Sequence, residues 1–250
     1  MKNTNQKISI IIKTLNSGET LVNTLESVSQ FGEIIAIDEH STDDTIDILN
    51  EYKVKIIYSD KFNLTPTLKQ AEEESKGDWI FLLNDDEIIP KSLLNKIAEY
   101  IETPKKNKFS LLFDIKTFYL NKEIKSAGRK NILKFFKKGF CEFKNDNTFE
   151  VELKKGKTYK IKHDFILKYV QNDISKHLNV FINRNKNILK NSNKISSSVI
   201  LKPVFTFFYF YILKFGFLDG IRGYIFAKMK FFEKLILEIM ILEKNFKEKK

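Results

Sequence analysis

Trp79-Ile80-Phe81-Leu82-Leu83-Asn84-Asp85-Asp86-Glu87 decides the fold: five apolar residues, entered from Gly77-Asp78, run straight into an acidic turn. A strand without a polar residue for five positions is covered on both faces, as strands of parallel sheets are. Working outward, Ile8–Ile12, Ile34–Ile37 and Val54–Tyr58 are three more short β-branched runs. Helix signals separate them. Glu19–Ser29 puts Leu21, Leu25 and Val28 on one face; Ser41, Thr42 and Asp43 are N-cap candidates for a helix through Ile46 and Leu49; Thr67–Ser75 is the third. Lys91–Tyr100 follows the fourth run, with Pro90 near its start. This alternation predicts βαβ units, hence an α/β, Rossmann-like, mostly parallel sheet with helices on both faces. Ligands of such sheets bind beyond the carboxyl ends of the strands, where the polar clusters after the first, second and fourth runs lie.

Beyond Thr103-Pro104 the pattern loosens. Phe109–Lys116 and Ile132–Lys137 read as strands, Phe149–Leu153 and Thr158–Lys162 as a hairpin around Lys155-Gly156, and Ser175 to about Lys190 as a helix before a polar joint at Asn191–Ser198. Val204–Leu213 is uncharged for ten residues between Lys202 and Lys214, well short of the ~18–20 that a spanning helix needs. Gly216, Gly220 and Gly223 break that run, and Asp219 is placed to cap the next helix. From Ile221, the apolar residues Ile225, Met229, Phe232, Ile236 and Ile239 recur at three- and four-residue spacing among Lys228, Lys230 and Lys234. Two amphipathic helices with aromatic faces and basic flanks suit a membrane interface; packing on the domain core is the alternative.

The net charge of +11 is unevenly spread. Residues 1–103 carry −9, residues 104–189 +13 and residues 190–250 +7. Lysine enrichment by genome composition would act along the whole chain, and the first 103 residues escape it. An anionic partner is therefore expected for the second part alone. Nucleic acid is not expected, because the aromatics gather in Val204–Phe217 instead of interleaving with the lysines. The single cysteine, Cys141, excludes an internal disulfide framework and points to a reducing compartment. Ile8–Ile12 is too short for a signal-peptide core, so export is not expected.

Carboxylates at a strand end can hold a hard divalent cation that grips phosphate oxygens, which makes the turn after Leu83 a candidate site. Asp38, closing the second strand, is placed to accept hydrogen bonds from a base or ribose. The chain has no glycine-rich dinucleotide fingerprint and no phosphate loop, and His40, His163 and His177 lack zinc-ligand spacing.

Ile8–Asn16, Ile35–Thr45 and Gly77–Glu87 together resemble the family 2 glycosyltransferases. Leu133–Gly139 and Gly216-Phe217-Leu218-Asp219-Gly220-Ile221-Arg222-Gly223 resemble the branch that glucosylates lipopolysaccharide and lipooligosaccharide cores. The resemblance implies a GT-A fold, a nucleotide-sugar donor, a divalent cation (Mg²⁺ or Mn²⁺) and inversion at the anomeric carbon. It implies donor contacts from Thr14, Asn16, Asp38, Lys69, Asn84, Asp86, Glu87 and Lys168, with Asp86 at the metal, and Glu150 as the general base that deprotonates the acceptor hydroxyl. The chain departs from the pattern at five positions. Asn84 stands for the first acid of Asp-x-Asp, His40 for a glycine, Leu68 for a basic residue (with Lys69 adjacent), Phe149 for the histidine before the glutamate, and Lys168 for a late histidine. Losing one acid weakens the grip on a metal, and Lys168 is a fixed cation able to supply part of that charge.

The expectation is thus an inverting hexosyltransferase, with UDP-glucose the favoured donor. Its acceptor would be an anionic lipopolysaccharide core glycolipid, and the protein would lie peripherally on the inner face of the cytoplasmic membrane. Residues 1–190 would form the GT-A domain (1–103 for the nucleotide sugar, 104–190 for the acceptor) and 199–250 the membrane-associating helices. The alternative is a catalytically inactive, membrane-bound assembly factor.

Overall fold

A computed structural model describes residues 8–59, 64–102, 108–144, 149–170, 175, 177–179, 181–182 and 201–247. The chain divides into two units, one of residues 1–115 and 129–169, the other of residues 116–128 and 170–250.

In the first unit, β1 (Ile8–Thr14), β2 (Glu33–Asp38), β3 (Lys55–Tyr58) and β4 (Trp79–Asn84) are the four expected strands, all parallel, in the order β3-β2-β1-β4. Side chains alternate across the pleat, so each apolar run serves two cores. Ile10, Ile12, Ala36, Phe81 and Leu83 face one way, beneath Leu21, Leu25 and Val28 of α1 (Leu21–Val28) and Leu93 and Ile97 of α4 (Lys91–Glu102). α2 (Thr45–Glu51) adds Leu49 to the same core. Ile11, Ile35, Ile37, Ile80 and Leu82 face the other way, against Leu64, Leu68 and Ala71 of α3 (Leu64–Glu74). Leu68, at the position where the family pattern expects a base, is thus a core residue.

The sheet continues past β4 with antiparallel strands. β8 (Arg129–Lys137) pairs with β4 and with β6 (Lys108–Tyr119), and β11 (Lys157–Tyr169) pairs with the two-residue β5 (Glu87–Ile88). The hairpin expected around Lys155-Gly156 does not form. β10 (Val151–Leu153) pairs back onto β9 (Cys141–Phe143), burying Val151 and Phe143 beside α3, while β11 runs on for 13 residues in the main sheet. Burial pushes the Cys141 thiol up to about 12, so it carries no thiolate chemistry.

In the second unit, Phe118 and Tyr119 at the end of β6 pair with β7 (Lys122–Glu123), and a 3₁₀ turn, Lys125–Ala127, comes next. α5 (Leu201–Phe208) widens into a π-type turn, Tyr209–Leu213; a 3₁₀ turn, Gly216–Asp219, then leads into α6 (Gly220–Lys247). Phe215 turns the corner at φ 57°. Gly223 makes the turn possible, because a Cβ there would lie 2.0 Å from the Gly216 carbonyl oxygen. Asp219 does not cap α6 with its side chain. Its carboxylate accepts from the Lys125 and Ser126 N–H groups at 3.1 and 3.0 Å and from Ser126 Oγ at 2.7 Å, fixing the 3₁₀ turn instead. Of the helix expected from Ser175, residues 175, 177–179 and 181–182 are helical; the rest, and the joint at Asn191–Ser198, lie outside the described residues.

Candidate active site

Parallel register brings the three motif ends together at one edge of the first unit. Thr14 lies opposite Asp38 across β1 and β2, and Lys13 opposite Asn84 across β1 and β4. Asp38 is fully buried at the hub. Its carboxylate accepts from Thr14 Oγ1 at 2.9 Å, from Ser41 N–H at 2.8 Å and from Ser41 Oγ at 2.5 Å. Ser41 Oγ in turn accepts from Asn16 N–H at 2.9 Å, and Asn16 Oδ1 accepts from Thr42 N–H at 2.8 Å. Ser41 and Thr42, expected as helix caps, therefore clasp the loop after β1. Asp43 supplies the local bonds at the start of α2, accepting from Thr45 N–H at 3.1 Å and Thr45 Oγ1 at 2.5 Å. His40 takes the φ of 60° that the family's glycine adopts freely, and its ring stacks on Tyr58 at 5.6 Å. Thr14 and Asp38 are buried, whereas His40, Thr42, Asp43 and Tyr58 are exposed and Asn16 and Ser41 partly so.

The acidic turn is internally paired. Ser17 Oγ donates to Asp85, tying the loop after β1 to the end of β4. Glu87, expected at the donor, is turned inward and 1% exposed. It accepts from Asn84 N–H at 2.9 Å, Asn84 Nδ2 at 3.0 Å and Lys134 Nζ at 2.7 Å. Burial alone would raise this carboxyl; the Lys134 and Lys168 ammonium groups and the Asn84 N–H outweigh it and hold it below the ordinary glutamate range. Asp86 is half-buried, with Lys168 Nζ at 3.0 and 2.8 Å from its two oxygens. Burial disfavours the Lys168 charge, yet Asp86, Glu87 and Asp85 hold its pKa above the ordinary lysine value.

Glu150 stands with other partners, Arg129 Nη2 at 2.6 Å and Lys144 Nζ at 3.4 Å. The Arg129 hydrogen bond, with Lys144 behind it, lowers its pKa against the opposing effect of burial, so it is ionised and weakly basic. Its neighbour Phe149 lies under Lys134, 5.9 Å from Nζ to the ring centroid, which links the Glu150 segment to Glu87 and the acidic turn. Lys69 lies on the exposed side of α3. Sequence reasoning missed Ser17, Tyr58, Arg129 and Lys134. Lys134 carried a signal, as the one charge in Ile132–Phe136, a run otherwise fit for the core.

The donor set does not fit a divalent cation. Asn84 is neutral and bonded to Glu87, Asp86 is ion-paired to Lys168, and no group of three or more His, Cys, Asp or Glu side chains is placed to hold a metal among the described residues.

Known proteins resemble this chain in sequence and in fold. The family model described as "Glycosyl transferase family 2" matches residues 9–151. Poly(ribitol-phosphate) beta-N-acetylglucosaminyltransferase TarP of Staphylococcus aureus (strain N315) is 26% identical over 80% of this chain and 74% of its own. The Escherichia coli protein named UDP-Glc:alpha-D-GlcNAc-diphosphoundecaprenol beta-1,3-glucosyltransferase WfaP is 34% identical over 48% of this chain and 49% of its own. The mannosyltransferase PcManGT from Pyrobaculum calidifontis, solved with GDP-Man and Mn²⁺, superposes over 98% of this chain and 88% of its own with a TM-score of 0.51 at 11% identity, a likeness of fold.

Proposed function

Because the chain belongs to glycosyltransferase family 2, we propose that it transfers a hexose, glucose from UDP-glucose in the first place, with inversion, to a lipopolysaccharide or lipooligosaccharide core acceptor. The observation that carries this reading is the register that sets Thr14 opposite Asp38 and Lys13 opposite Asn84. The loop after β1, which this reading assigns to the base and ribose, thus lies beside an acidic turn at the carboxyl edge of a parallel sheet. Asn16, Asp38 and Thr14 shape the nucleoside end. Lys69, Asn84, Asp86 and Lys168 serve the diphosphate and sugar, and Glu87 braces them from below. Glu150 takes the proton of the acceptor hydroxyl as its oxygen attacks C1 from the face opposite the departing diphosphate.

The names of TarP and WfaP both specify phosphate-bearing acceptors, a ribitol phosphate polymer and a diphosphate-linked lipid. A phosphate-bearing acceptor suits a chain whose residues after 103 carry +20. The second unit adds a surface for the lipid side. Phe205, Phe208, Ile212, Leu213, Phe215, Phe217, Leu218 and Ile221 are all exposed around the Gly216 corner, with Lys202, Lys214 and Lys228 exposed beside them. No single helix among the described residues is long and apolar enough to cross a membrane, although Lys202–Leu213 and Gly216–Lys247, bent by 69°, pass that test together. A segment seated in the headgroup layer on the inner face of the cytoplasmic membrane accounts for both the aromatics and the lysines. In this reading residues 1–190 form the transferase domain and 199–250 the anchor.

The test is a panel of nucleotide sugars incubated with the protein and membranes of a strain lacking its gene, with the glycolipids weighed by mass spectrometry. A hexose increment from UDP-glucose is expected; no increment with any donor removes the reading. The neutral Asn84 and the paired Asp86 favour a second reading, an inactive membrane-bound assembly factor, for which UDP would show no binding.

A further inference from the structure

Every carboxylate of the acidic turn is already committed. Asp85 receives Ser17 Oγ; Glu87 is sealed under Lys134 and Asn84; Asp86, the outward one, meets Lys168 through both oxygens. Lys168 does not arrive there by a chance rotamer. β11 pairs with β5 so that Lys168 lies opposite Glu87, and the Tyr169 N–H donates to the Asp86 carbonyl at 2.9 Å, which fastens the two backbones around the ion pair. An ammonium group has three N–H donors. One donates to Asp86 Oδ1 while Oδ2 lies 2.8 Å away in the same ion pair, so donor capacity remains for a ligand on a side chain about one-third exposed. A divalent cation seeking Asp86 would have to displace this ammonium and would find a neutral amide at position 84.

On the premise that the protein uses a nucleotide-sugar donor, we infer that it binds the donor diphosphate without a divalent cation, the Lys168 ammonium, braced by Asp86, meeting the diphosphate oxygens. The chemistry balances with protein groups alone. The acceptor oxygen forms its bond to C1 as the bond from C1 to the phosphate oxygen breaks. That electron pair stays on the nucleoside diphosphate, the hydroxyl proton passes to a carboxylate, and the new charge on the leaving oxygen faces a cation fixed before the reaction starts.

The experiment is calorimetric titration of the full chain with UDP, with GDP and ADP alongside, in excess chelator and again in Mn²⁺ or Mg²⁺. Equal UDP affinity, within about twofold, is expected in both. Lys168→Met should weaken UDP by about tenfold or more, the loss of one charge-assisted hydrogen bond, and Lys168→Arg should retain most of the affinity. Circular dichroism and thermal unfolding of both variants check that they fold. UDP binding that requires the metal, or that survives Lys168→Met unchanged, overturns the inference and leaves the donor reading intact. Absence of binding by all three nucleotides in every buffer removes the donor reading, and this inference with it.

Discussion

Lys134→Met tests the buried pair under the acidic turn. Lys134 Nζ and Glu87 Oε2 are 2.7 Å apart, with side chains 4% and 1% exposed. At an effective dielectric of about 20, two unit charges at this distance attract by roughly 6 kcal/mol, much of which offsets the cost of removing both ions from water. Removing the lysine alone leaves a buried carboxylate, a loss of about 3–5 kcal/mol in general. Asn84 still donates twice to Glu87, which places the expectation near the lower end, about 3 kcal/mol. Methionine keeps the volume of the stem, so a cavity adds little. The assay is urea unfolding followed by fluorescence of Trp79, the single tryptophan, which stacks on Phe135 next to the mutated position.

The pH dependence sharpens this test. In the native protein the Glu87 pKa is lowered, so its contribution is present above the unfolded value of about 4.3 and fades as pH falls through the folded value. In the variant burial dominates and the folded pKa rises, so the penalty is full at neutral pH and shrinks as acid protonates Glu87. Lys134→Met with Glu87→Gln should recover most of the stability. A single-variant loss below about 1 kcal/mol, or one that stays constant from about pH 7 to about pH 5, refutes the reasoning.

Three further expectations concern other parts of the chain. Glu150→Gln should lower the transfer rate by about 10²–10⁴ with UDP affinity unchanged; an unaltered rate excludes Glu150 as the base. Phe205 and Leu218 are 65% and 73% exposed, so Phe205→Glu with Leu218→Glu should fold normally yet lose more than about tenfold in co-sedimentation with anionic vesicles, and full sedimentation would exclude this surface as the anchor. Gly223→Ala forces a methyl group against the Gly216 carbonyl, and a loss of about 1–3 kcal/mol with earlier proteolysis near Phe215 is expected; native protease resistance would show that the corner has slack.

The parallel half was legible because each of its strands is short, unbroken and bounded by turn residues, and the acidic turn ends one of them. The antiparallel half was not. In β11 only Ile161 and Ile166 are buried, and between them His163 takes a φ of 65°, so the alternation slips and the strand looks like half a hairpin. β10 is three residues long, and its partner is β9, whose signal is one cysteine and one phenylalanine. Within the site, Asp38 and Asp86 were found by their positions at strand ends. Their partners Thr14 and Lys168 come from other strands, and only the register brings them close. Glu87 was misplaced for the same reason: nothing in the order of residues says that one acid of a run faces inward.

The bare aromatic corner around Gly216 also governs how the molecule behaves away from lipid. With no bilayer to receive Phe215, Leu218 and Ile221, the same rings offer each copy an adhesive for the next. Purified in plain buffer, the protein should self-associate as its concentration rises, and mild detergent should disperse it.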